Sequence, residues 1–170
     1  MRLTAWIVVG WLGTLLCSAF AARLHWAHVI PDVPVLVVVY LALHREPVRV
    51  APIAAALGYL VGQQALAPIG LHETALVLCA VTMAIAAGSI AAGGALFYAA
   101  ASAAAVVGYH LLLGLLVFWQ RGVVGFSSWA TALLLPAALA TALLGLLLYP
   151  LFAALERRLT TDPREGLLWR

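Results

Sequence analysis

The sequence predicts an all-α polytopic membrane protein, a compact bundle of about six transmembrane helices. Three observations carry that expectation. Of the 170 residues, 66% are hydrophobic and 9% charged, against roughly 25% charged in a soluble domain. Several apolar runs are long enough to cross about 30 Å of hydrocarbon at about 1.5 Å per residue. The connections between them are short and no composition shift marks a boundary, so residues 1–159 read as one helical bundle and 160–170 as a short polar tail.

The first element is expected over Leu3–Ala22. A lipoprotein signal ending at Cys17 is the competing reading, but Leu16 is large where a small residue is needed. The next is a short run from Pro31 to Leu43, too few residues for an ordinary span, so it is expected to be shielded by its neighbours or to sit in thinned bilayer. Longer spans follow over Val50–Leu66, Leu71–Ala91, Ala95–Trp119 and Ala130–Leu155. In "TDPREG" the tail reads as a turn with a short capped helix at the membrane surface.

Asp32, between Pro31 and Pro34, heads the short run. A charge in hydrocarbon costs roughly 2.5–3.5 kcal/mol at a helix centre, so its place needs a reason. It reads as an N-cap at a membrane boundary, accepting from the free N–H groups of the first turn, with Pro34 where no intrahelical N–H is required. A contact with a partner or ligand is the alternative.

All nine basic residues are Arg. With six spans both termini share one side, which gathers Arg2, Arg45, Arg49, Arg157, Arg158, Arg164 and Arg170, leaving Arg23 and Arg121 opposite. The positive-inside rule then places both termini and the tail in the cytoplasm. Trp26, Trp119 and Trp129 would flank the outer boundary, and Trp6, Tyr40 and Tyr149 the inner one. The net charge of +3 thus reports topology and gives no sign of nucleic acid binding.

Chemistry-bearing patterns are sparse. His25, His28 and Asp32 make a poor ligand set, and no metal or cofactor is expected. His72 and Glu73 read as a first-turn pair favoured by the helix dipole. His110, inside a span, is a functional candidate by default and otherwise an imidazole bonded to a neighbouring helix. "GFSSW" is not a nucleophile loop, and facing aspartates, phosphate loops and dinucleotide fingerprints are missing, so no catalytic residue is assigned. Cys17 and Cys79 read as small apolar packing residues.

Small residues at four-residue spacing mark close helix contacts. They occur as Gly58 and Gly62 in the third helix and as Ala84, Gly88 and Ala92 in the fourth. Both sets are expected to pack within the bundle, with a partner's membrane helix or a homo-oligomer as the alternative.

The order of Pro31-Asp32 leading "VLVVVYLAL", then "LGYLVGQQALAPIGLHE", then "LLLYPLFAALERRL" before a basic tail resembles the bacterial rod shape-determining MreD family. The strongest marks are Pro31, Asp32, Tyr40, Gly58, Gly62, Pro68, Gly70 and Leu71. Members often carry an acidic residue shortly after the second glycine of the third helix, where this chain has Gln63 and Gln64. The resemblance implies a non-enzymatic subunit of the cell-elongation machinery in the bacterial inner membrane. It would pair with MreC and act with MreB, RodA and a penicillin-binding transpeptidase in peptidoglycan synthesis. MreD-like chains also resemble the substrate-binding subunits of energy-coupling-factor vitamin transporters, the alternative expectation, for which Trp26, His28, Gln63, Gln64 and His72 would line an outer mouth.

Overall fold

A computed structural model describes residues 2–24, 30–89, 93–121 and 126–159. The helices are α1 (Arg2–Leu24), α2 (Val33–His44), α3 (Pro47–Gln64), α4 (Leu71–Ser89), α5 (Ala95–Arg121) and α6 (Phe126–Leu159). Four of them carry stretches long and apolar enough to cross a membrane: Leu3–Arg23, Leu71–Gly88, Ala95–Trp119 and Leu134–Leu159. The chain is therefore an all-helical bundle built for a membrane. The 18 residues of α3 include Arg49, Gln63 and Gln64, and α3 stops two residues short of the expected Leu66.

With 12 residues, α2 is short for a span, and the packing compensates. Every residue from Val33 to Ala42 is buried, and α2 touches each of the other five helices. Shielding by neighbours is thus the solution adopted. Its valine-rich sequence suits that place, since a helix apolar on all sides belongs in an interior. Between helices in lipid the attraction is van der Waals packing and a few hydrogen bonds, so α2 is held by close fit and by polar ties at its two ends.

The helices alternate in direction. Near the start of α1, Trp6 stacks on Tyr40 near the end of α2 and meets Phe152 late in α6. Early in α5, Tyr98 packs on Tyr40 and Tyr149. Facing the head of α2 are instead Gly13 of α1 and Thr141 of α6. The start of α1 and the end of α6 therefore share one end of the bundle. At this end Trp6 and Tyr40 are fully buried, so they form core and do not flank lipid as expected. Trp119, in contrast, is among the most exposed side chains.

The two small-residue sets are used unevenly: Gly58 of α3 and Ala84 of α4 pack within the bundle, and Gly88 does not. A Cβ on Gly58 would lie 2.6–2.8 Å from backbone atoms of His72 and Glu73. The α3 and α4 backbones therefore touch there. A Cβ on Gly62 would find its nearest atom, His72 Cδ2, at 3.6 Å, an ordinary contact. Gly88 is exposed with nothing within 4 Å, so this part of the α4 stripe faces away from the bundle, contrary to expectation. Ala92 lies outside the described residues.

Candidate functional site

Polar side chains gather at the two ends of α2. At its head, Val33 N–H donates to Pro31 O at 3.1 Å and Leu36 N–H to Asp32 O at 3.1 Å, while Pro34 sits in the first turn. Asp32 stands at the N-cap position with φ −85° and ψ 82°, yet its carboxylate makes no capping bond. That corrects the expected role. Its Oδ2 lies 3.7 Å from His110 Nε2 of α5, with both side chains largely buried.

His110 is fixed from the other side, its Nδ1 bonding the Val106 carbonyl at 3.0 Å. A carbonyl only accepts, so the Nδ1 carries the proton and the Nε2 faces Asp32. The Asp32 backbone N–H donates to Thr141 Oγ1 at 2.9 Å, and that hydroxyl donates to Ala137 O at 2.7 Å. Asp32 thus ties the head of α2 to α6 through its N–H and sets its carboxyl group against the His110 ring of α5.

Beside this pair, His72 Nδ1 and the Tyr109 hydroxyl are 2.6 Å apart, joining α4 to α5. Glu73 turns back on its own helix, and its Oε2 accepts the Gly70 N–H at 2.9 Å. Gly70 is the residue before α4 and Glu73 its third, so this is half of a capping box. Gly70 adopts φ +93° in the α3–α4 connection, a conformation glycine enters at little cost. Gln63 and Gln64 are exposed, so they do not reach across to another helix.

A second cluster, unmarked by any motif, closes the other end of α2. The Tyr40 hydroxyl donates to Glu156 Oε2 at 2.7 Å, and Arg45 Nη2 reaches Glu156 Oε1 at 3.4 Å. Tyr98 donates its hydroxyl to Leu36 O at 2.8 Å inside the bundle. Helices α5 and α6 therefore hold α2 near both ends. Sequence offered one signal for this cluster: Glu156 and the aromatics Tyr40, Tyr98 and Tyr149 recur near helix ends of the same predicted side.

No group of three or more His, Cys, Asp or Glu among the described residues could hold a metal. His25, Trp26, His28 and the tail 160–170 lie outside those residues. Cys17 and Cys79 are free thiols. A cavity of about 220 Å³ between α2, α4, α5 and α6 is lined by Leu43, His44, Phe97, Tyr98 and Tyr149. It sits at the Tyr40 end, remote from the Asp32 cluster, and is smaller than the roughly 300–1,000 Å³ of ligand pockets.

Comparison with known proteins gives no match from family models, curated proteins or solved structures.

Proposed function

We propose that this chain is a non-enzymatic subunit of the bacterial cell-elongation machinery, similar to MreD, that grips the membrane helix of an MreC-like partner. The observation that carries the reading is where the resembling residues fall. Pro31, Asp32 and Tyr40 lie on or just ahead of α2, while Gly58, Gly62, Pro68, Gly70 and Leu71 lie on the α3–α4 hairpin packed beside it. The resembling marks thus fall on three elements that pack on one another, with Gly58 against the α4 backbone.

The bacterial inner membrane is the proposed location, with the start of α1 and the end of α6 in the cytoplasm. Arg45, Arg49, Arg157 and Arg158 cluster at that end and Arg23 lies at the other, which supports this orientation by the positive-inside rule. Action with MreB, RodA and a penicillin-binding transpeptidase belongs to the same proposal.

The test is gentle-detergent purification of the tagged chain from its native membrane, with mass spectrometry of what accompanies it. A single-span coiled-coil protein with cell-wall synthases is the expected result. The convergence of Asp32, His72, Tyr109 and His110 at one end favours a second reading, a vitamin-transporter substrate-binding subunit. Recovery of paired ATPases with a coupling subunit would overturn the first reading in favour of the second.

A further inference from the structure

The connection from α3 to α4 contains a residue of the wrong type for its backbone. Ala67 N–H donates to Gly62 O at 3.0 Å and Leu66 N–H to Gln63 O at 3.4 Å. These two bonds form a Schellman motif, whose left-handed position is usually glycine. Here it is Leu66, at φ +50°, the one non-glycine residue with positive φ among those described. A leucine there is held against its steric preference.

That leucine makes no use of the bundle. Its side chain is 93% exposed, and Ile69, three residues on, is 82% exposed. Ordered hydrogen bonds fix the turn on both flanks, Ala65 N–H to Val61 O at 2.9 Å and Leu71 N–H to Pro68 O at 3.2 Å. Two large apolar side chains are thus presented outward on a fixed support at the Asp32 end. From Val50 to Leu71 the sequence has no Asp, Glu, Lys or Arg, whereas Arg23 and Arg121 border the other connections at this end; the nearest carboxylate, Glu73, is taken up by the Gly70 N–H. About two turns earlier on α3, Tyr59 is also exposed.

The geometry points to a lipid anchor: Leu66 and Ile69 insert into the acyl region of the leaflet at the Asp32 end, holding the α3–α4 hairpin at a fixed depth. Strained residues persist where the surroundings over-determine them and are concentrated where they serve a function. The uncharged connection favours acyl chains as the occupant over a charged headgroup or a polar protein surface.

Nitroxide labels on Leu66→Cys and on Ile69→Cys, each in a Cys17→Ala background, test this in phosphatidylcholine vesicles. Both labelled positions are exposed, and the Cys79 thiol is buried away from the reagent. Collisions with dissolved oxygen, which concentrates in lipid, should exceed those with a water-soluble nickel chelate several-fold at both sites. Nickel-dominated collisions would place the turn in water and overturn the anchor. Low collision rates with both reagents would show a contact between copies of the chain and overturn it equally.

Discussion

Asp32 Oδ2 lies 3.7 Å from His110 Nε2, across 78 residues of sequence. The pair joins the head of the buried helix α2 to α5, in the place where local chemistry alone would have put a helix cap. Removing one member leaves the other largely buried without its partner, while an amide at Asp32 can still meet the imidazole. Asp32→Ala should therefore destabilise by about 1–3 kcal/mol and Asp32→Asn by less, read as thermal unfolding in detergent. An unchanged unfolding temperature for Asp32→Ala would show that the carboxyl group contributes nothing through His110, and losses of equal size would show that an amide cannot take its place.

At the opposite end, Tyr40→Phe deletes the hydroxyl that Glu156 accepts at 2.7 Å. A hydrogen bond to a charged group contributes about 1.5–3 kcal/mol. The variant should lose stability in that range, and combination with Glu156→Gln should cost less than the sum of the two single changes. Strict additivity in the double-mutant cycle would mean that the two side chains do not interact.

The two glycines of α3 separate sharply. Gly58→Ala would set a methyl group 2.6–2.8 Å from α4 backbone, which cannot turn aside as a side chain can. The helices must part, at a cost of about 1–3 kcal/mol or more. Gly62→Ala meets its nearest atom at 3.6 Å and should be tolerated. Measured stabilities that rank the two variants the other way would contradict the α3–α4 packing.

Gly108 lies within α5 with nothing within 4 Å of an added Cβ. Alanine there removes the helix-interior penalty of glycine, about 0.5–1 kcal/mol. Gly108→Ala should raise thermal stability in detergent. A gain in stability together with loss of the co-purifying partner would mark this open notch as the partner's seat.

Much of the fold was legible because apolar length and composition are local properties. The long helices, the shortness of α2, Pro34 in its first turn and Glu73 in the first turn of α4 all follow from neighbouring residues. What was not legible depends on distant chain. Whether the Asp32 carboxylate caps its own helix or turns to His110, and whether Tyr40 flanks lipid or bonds Glu156, is decided by how α5 and α6 return. Spacing of small residues also fails to give a face: Gly58 meets α4 backbone while Gly88, in an equally good pattern, points away. Leu66 was hidden for a further reason, since a Schellman turn ordinarily announces itself by glycine.

Helix α2 is enclosed by the other five helices, away from lipid. Valine-methyl-labelled protein in lipid nanodiscs tests it through magnetisation transfer from acyl chains. Val33, Val35, Val37, Val38 and Val39 are buried, whereas Val8, Val48 and Val117 are exposed. Transfer should reach the exposed valines and leave the five of α2 silent. Transfer from acyl chains to the α2 valines would show that the helix is open to lipid.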